Sequence, residues 1–282
     1  MTPLPARVRA IVVPLDGSTF SERALPVAAR LARRLDAEVH LLSTVAKEDD
    51  VDEREAELGA IDLPGLVVHR SVVVDLDPAG EIHETLRRLG DAVACMASHG
   101  RGASAAFVGS VASEVLGRGH DPLILVGPLV DLVEEGQGIF ACVDEKPASA
   151  AIVPIALCWG QRLGEATVVA TVAEPVPEPV RPAPVHRVIG PDGDVEEFLE
   201  TLVAPYRQRG HELSTVAIYD PVSAAQGVSG YLKEHPAALA VAGARTRAVL
   251  THYVVGAATA GIVYYSPSPV LAVPLPRTGE AR

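Results

Sequence analysis

The sequence predicts two tandem, doubly wound α/β domains, each built on a five-stranded parallel sheet, and three observations carry that expectation. The first is an internal repeat. Ile11 to Ser18, Met96 to Gly100, Gly109-Ser110 and Pro122 to Val126 recur in order as Ile139 to Asp144, Ala242-Gly243, Gly256-Ala257 and Pro269 to Val273. Asp16 and Asp144 stand 128 residues apart and Pro122 and Pro269 stand 147 apart, a period of whole-domain size rather than of a solenoid unit. The second is the alternation of short apolar runs with amphipathic segments, which reads as βαβαβαβαβ with right-handed crossovers. The third is composition: Ala, Val and Leu dominate the apolar set while aromatics are only 4%, which suits buried parallel strands covered by small-residue helices. The expected domains are 1–130 and 137–276, with Gly127–Gly138 as the linker.

Within the first copy, Val8–Leu15 is a central strand. A helix follows over Ser18–Asp36, with Leu25, Ala28, Ala29, Ala32 and Leu35 on one face; Ser21 is its expected N-cap. Strands are expected at Val39–Val45 and Leu66–Val74, separated by a charged stretch, Lys47–Leu58, that reads as a short exposed helix or loop. Asp77-Pro78 has the form of an N-cap followed by Pro at the first helical position, and that helix runs to about Leu89. Ala92–Ala97 is the fourth strand, Ser98–Val108 a loop, Ser110–Arg118 a helix and Leu123–Val126 the last strand. The second copy repeats the series with strands at 139–143, 167–172, 213–219, 238–242 and 270–273 and helices at 147–163, 222–234 and 256–264. Asp220-Pro221 repeats the cap of Asp77-Pro78. Glu174–Asp194 contains six prolines and reads as an extended loop interrupting the repeat.

Composition excludes several classes. Net charge is −12 and basic residues never cluster beyond pairs, so recognition of nucleic acid by phosphate neutralisation is not expected. No apolar run approaches the roughly 20 residues that cross a bilayer, so no membrane partner is expected. The stretch Met1–Arg9 lacks the apolar region of a signal peptide. Cys95, Cys142 and Cys158 are scattered through apolar elements and read as buried, reduced thiols. A cytoplasmic protein is the expectation. The histidines show neither H-x-x-E-H nor H-E-x-x-H spacing, so no metal site is read from the chain. Ser98 and Ser104 lack a nucleophile-elbow context, His99 reads as a loop histidine, and Cys158 and Trp159 read as packing residues of a helix. No catalytic residue is assigned.

In a doubly wound sheet, ligands bind beyond the carboxyl ends of the strands at the switch point. Asp16, Thr44 and Met96-Ala97 end three strands that should converge there. Gly109-Ser110 opens the following helix, whose first N–H groups and dipole favour an anion. Glycines at 100, 102 and 109 would let a phosphate approach the backbone. Asp16 is better placed to accept a hydrogen bond from a base or sugar.

These residues resemble the universal stress protein family, whose members carry V-x-V-x-D-G-S at the first strand and M/V-G-S-H-G-(x9)-G-S/T at the fourth. Here the counterparts are Val12 to Ser18, then Met96-Ala97-Ser98-His99-Gly100, eight residues, and Gly109-Ser110. The resemblance covers essentially the whole chain as two copies. It implies an adenine-nucleotide α-hydrolase-like fold and a pocket for ATP, with Mg2+, lined by Pro14, Leu15, Asp16, Thr44, Met96, Ala97, Gly100, Gly109, Ser110, Val111 and Ala112. The chain departs from the pattern at Ala97, which replaces a glycine, and in a loop one residue short. In the second copy Asp144 and Gly243 remain, Thr246 replaces the second glycine and Ala257 the hydroxyl residue, while Arg245 and Arg247 read as solvated loop arginines.

The resemblance also implies antiparallel pairing of the domains' last strands, here Leu123–Val126 with Val270–Val273 in one chain, giving an intramolecular pseudo-dimer with two edges hidden. The expected function is a stress-type regulator that binds ATP or a related adenine nucleotide in the first domain, the second being mainly structural. At most slow ATP hydrolysis is expected, because no positioned general base is visible. Protein partners or self-association through sheet edges accompany that reading. The alternative is a scaffold with both pockets closed.

Overall fold

In the computed structural model of the chain, residues 7–99, 108–119, 121–173, 194–220, 222–249 and 252–275 are described. The first copy runs β1 (Ala10–Pro14), α1 (Ala24–Leu35), β2 (Glu38–Val45), α2 (Val51–Ala60), β3 (Val68–Val74), α3 (Pro78–Leu89), β4 (Ala92–Ala97), α4 (Ser110–Arg118) and β5 (Leu123–Val126). The second runs β6 (Ile139–Cys142), α5 (Ile152–Leu163), β7 (Thr167–Ala173), α6 (Asp194–Arg207), β8 (Leu213–Tyr219), α7 (Ala224–Glu234), β9 (Leu239–Ala244), β10 (Thr246–Val249), β11 (His252–Val255), α8 (Ala257–Tyr265) and β12 (Val270–Pro274).

The strands form one ten-stranded sheet in the order β3-β2-β1-β4-β5-β12-β9-β6-β7-β8. Each half is parallel and reverses its winding between its first and fourth strands. The halves meet where β5 and β12 run antiparallel, with Leu125 opposite Val270, Ile124 opposite Leu271 and Leu123 opposite Ala272. All six of these residues are fully buried. The expected fold class and the intramolecular pairing are both present.

Period-two alternation sorts the buried side chains into two layers. Ile11, Val13, Val39, Leu41 and Ile124 face α1, α2, α5 and α6 together with Val241 and Leu271. Val12, Leu42, Leu123 and Leu125 face α3, α4, α7 and α8 with Val270 and Ala272. Of the three thiols expected to be buried, Cys95 is buried and Cys142 and Cys158 are only partly so. Desolvation pushes Cys95 and Cys142 up to about 12, so both are inert packing groups.

Four elements differ from the sequence expectation. Ser21 does not cap a helix: it lies in a 3-10 turn, Ser21–Arg23, where its hydroxyl donates to the Ser18 carbonyl at 2.8 Å and faces the Asp16 N–H. Asp77 does cap α3, accepting from the Gly80 N–H at 3.1 Å. In the second copy, however, Ser223 is the cap of α7 and Asp220 instead folds the preceding turn through the Val222 and Ser223 N–H groups. Helix α6 has no counterpart in the sequence reading, although Val195, Leu199 and Val203 recur at four-residue spacing and are buried. Residues 247–255, read as loop, contain the arms of an antiparallel hairpin, β10 and β11, that lies against α4 of the other half. Its Val249, Tyr253, Val254 and Val255 are strand formers. The proline-rich segment falls outside the described residues.

The linker is strapped rather than free. Arg23, Arg30 and Arg34 recur at seven and four residues along one face of α1 and its entry turn. Arg23 donates to the carbonyls of Pro128 and Val130 at 3.0 and 3.1 Å, and Arg30 to Leu132 at 3.3 Å. Arg34 pairs with Glu135 at 2.9 Å and with Glu165 at 2.6 Å, while the second oxygen of Glu165 accepts the Gly138 N–H. Gly127 packs so closely on α8 that an added Cβ would meet the Val263 carbonyl oxygen at 2.0 Å. Arg34→Met should therefore lower unfolding stability by about 2 kcal/mol, by stranding charge-assisted acceptors. Urea unfolding of the variant checks this, and a midpoint unchanged from the parent would remove the strap from the account of stability.

Candidate functional site

The switch point of the first half lies between β1 and β4, the place where a doubly wound sheet opens a ligand crevice. Asp16 follows the end of β1 at this point. The Leu15 N–H donates to the Leu42 carbonyl at 2.8 Å and the buried Ser43 hydroxyl donates to the Leu15 carbonyl at 2.7 Å, so the strand end is fixed from β2. Ser43 went unnoticed in the sequence because a hydroxyl bonded to a neighbouring strand leaves no spacing signal. Gly17 then turns the chain with φ of 75°, a left-handed conformation that favours glycine. One carboxylate oxygen of Asp16 accepts the Ser18 N–H at 2.9 Å and the Ser18 hydroxyl at 2.6 Å. These bonds hold an exposed carboxylate at the mouth of the crevice.

On the far side, β4 ends in Met96 and Ala97, both buried, and Gly109 begins α4. The Gly109 N–H donates to the Ser98 carbonyl at 2.6 Å, and a Cβ there would sit 3.1 Å from that oxygen and 3.4 Å from the His99 Cα. The strand end and helix start are thus drawn together through a position with little room for a side chain. No side chain caps α4, so its opening N–H groups at Ser110, Val111 and Ala112 have no side-chain acceptor among the described residues. Ser110 is exposed, Val111 half-buried and Ala112 buried. Pro14 and Thr44 are half-buried at the ends of β1 and β2. Gly100, Gly102 and Ser104 lie outside the described residues.

Two further residues shape this crevice. His99 is a loop histidine that is buried: its Nδ1 is 2.8 Å from the Ser98 hydroxyl, and its ring meets Phe20 edge-on at 6.0 Å and Tyr264 of α8 at 6.3 Å. Arg54, from α2, lays its guanidinium over Gly17, where an added Cβ would be 1.8 Å from a terminal nitrogen. The charged stretch containing Arg54 looked like a solvated face, and only the docking of α2 brings this cation beside Asp16-Gly17.

The second half keeps the frame and fills the crevice. The Asp144 N–H meets the Ser149 hydroxyl at 2.8 Å, as the Asp16 N–H meets Ser21, with both partners displaced by the same 128 residues. Yet the Asp144 carboxylate is taken by Arg245, at 3.0 and 3.4 Å. Arg245 is a partly exposed residue that pairs with Asp144, which corrects the sequence reading of a solvated loop arginine; the Arg247 side chain is outside the description. Burial pushes the Asp144 carboxyl up, but Arg245 and Lys146 outweigh it and hold it below its usual range. Leu275 covers Gly243, where a Cβ would meet its Cδ1 at 2.4 Å, and the Thr259 hydroxyl of α8 donates to the Gly243 carbonyl at 2.7 Å.

The chain is thus a tandem of two doubly wound, parallel-sheet α/β domains, each with a helix N-terminus at its switch point. Residues 7–127, the first domain, match the Universal stress protein family. A universal stress protein from Archaeoglobus fulgidus shares the fold at a TM-score of 0.65 and 18% identity, over 95% of this chain and 98% of that one. A putative universal stress protein from Pseudomonas aeruginosa shares it at 0.63 and 16% identity, over 96% and 94%. No curated protein matches the sequence.

The ion pair of the second crevice gives a titration prediction. A carboxylate held below its usual pKa contributes stability above the ordinary value of about 3.9, and that contribution is lost as pH falls through the lowered folded value. Arg245→Ala leaves burial unopposed except by Lys146, so Asp144 should titrate at higher pH than in the parent. Carboxyl-carbon NMR reads this directly; an unmoved Asp144 titration would contradict the assigned pairing.

Proposed function

We propose that the first domain binds an adenine nucleotide and that the chain acts as a nucleotide-responsive regulator, the second domain serving as its structural partner. The observation that carries this reading is the contrast between the two crevices. Both α4 and α8 begin uncapped after a glycine, but Ser110 opens α4 and the first-half Asp16 is exposed, whereas Ala257 opens α8, Arg245 pairs with Asp144 and Leu275 covers Gly243. Phosphates would lie on the first N–H groups of α4 and the Ser110 hydroxyl, since unsatisfied N–H groups and the positive dipole end both favour an anion. Asp16 would accept from base or ribose, with Leu15, Thr44 and Met96 beside it. Arg54 supplies a nearby cation in a chain of net charge −12. A bound Mg2+ would neutralise phosphate charge. Ala97 is compatible with this site because its methyl is buried.

Catalysis is not part of the proposal. The Asp16 oxygen nearest the turn is held by Ser18, and His99 is buried against Ser98, so neither is presented as a base to an attacking water.

Calorimetric and thermal-shift titration of the full chain with Mg-ATP tests the reading, beside Asp16→Ala and Gly109→Trp. Ligand at 100 times Kd should stabilise the fold by about 2.7 kcal/mol, with one equivalent bound per chain and binding lost in both variants. No shift in well-folded protein would reject the nucleotide role in favour of a scaffold with two closed crevices.

A further inference from the structure

At the opposite end of the first domain, near the amino ends of β2 and β3, three potential metal ligands meet. The parallel register sets His40 directly beside His69. Glu38 precedes His40 by two residues, and period-two alternation brings both to the same sheet face. The Glu38 Oε2 lies 3.0 Å from His69 Nε2 and 3.6 Å from His40 Nε2, and one ligand atom from each residue falls within 4.8 Å of the others. Two nitrogen ligands and a carboxylate oxygen around a zinc-sized ion are separated by about 3.3 to 3.5 Å when metal–ligand distances are about 2.0 to 2.2 Å. The observed contacts bracket that separation.

We propose that Glu38, His40 and His69 bind a divalent transition-metal ion of the zinc class, with solvent completing its coordination. Two imidazoles and one carboxylate are the ligand chemistry of such ions rather than of Ca2+ or Mg2+, which favour oxygen alone. A second observation points the same way. The Nε2 of His40 is buried and makes no close hydrogen bond among the described residues, Glu38 standing off at 3.6 Å, an arrangement that a coordinated ion would relieve. Arg88 of α3 is the nearby cation opposing a bound ion.

The imidazole planes are stacked at 4.5 Å, 21° apart, so ligation requires a tilt of one ring. His69, whose side chain is 52% exposed, has room for it, while His40 at 18% stays fixed. Cross-strand ligands escape any search for linear motifs, because their spacing of 29 residues is set by the crossover through α2 rather than by one helix or turn. The site lies away from the nucleotide crevice and stands or falls independently of it.

The test is titration of the untagged full chain with Zn2+ by calorimetry and with Co2+ by visible absorption, with circular dichroism to verify folding. One equivalent should bind, with the Co2+ spectrum reporting nitrogen and oxygen ligation at low coordination number. His69→Ala and Glu38→Gln should each weaken binding by at least the roughly 10–100-fold that loss of a supporting partner costs. His235→Ala, removing an exposed histidine of the other half, should leave affinity within about twofold. Folded parent protein without saturable binding would overturn the proposal, and so would parental affinity in folded His69→Ala or Glu38→Gln protein.

Discussion

The antiparallel seam between β5 and β12 is the interaction on which the rest of the molecule depends. Each parallel half would otherwise end in a short apolar strand with unpaired backbone groups, an edge prone to recruiting other chains. Joining the edges satisfies those groups and continues both helix layers across the molecule. The outer edges, β3 and β8, are more polar: along β3, His69, Arg70 and Ser71 are exposed. Apolar character is therefore concentrated at the seam and polar character at the free ends, which allows a ten-stranded sheet to stop at ten.

The seam also explains why the linker is held so closely. With β5 and β12 side by side, the chain must travel from the end of β5 to the start of β6 around the edge of α1. Arg23 and Arg30 satisfy carbonyls along that route and Arg34 pairs with the Glu135 carboxylate on it, using a helix face that would otherwise be solvated. A shift of α1 would disturb the strap and the packing of α5 together.

Much of this was legible in the chain. The order of strands and helices followed from apolar periodicity, and the seam followed from the repeat together with the family resemblance. Asp16, Gly109 and Ser110 could be placed near one another because doubly wound topology brings strand ends to a common switch point. What escaped was tertiary in origin. Arg54 and Ser43 matter through neighbours distant in sequence, and the cross-strand pair His40 and His69 has no local signature. Helix α6 was hidden for another reason: Pro205 and the proline-rich stretch before it masked a four-residue period of Val195, Leu199 and Val203. Arg245 was misread because a loop arginine carries no indication of which carboxylate it will meet.

The Arg245–Asp144 pair has a further consequence, arising from the covalent fusion of the two halves. In a symmetric dimer of identical subunits, any substitution enters both copies of a cleft at once, so an arginine that plugs one plugs its twin. A single gene encoding both halves escapes that coupling. One cleft can acquire its own ion pair and hydrophobic cover without the other doing so. Each half is then free to diverge by itself, as Arg245 on Asp144 shows for the second.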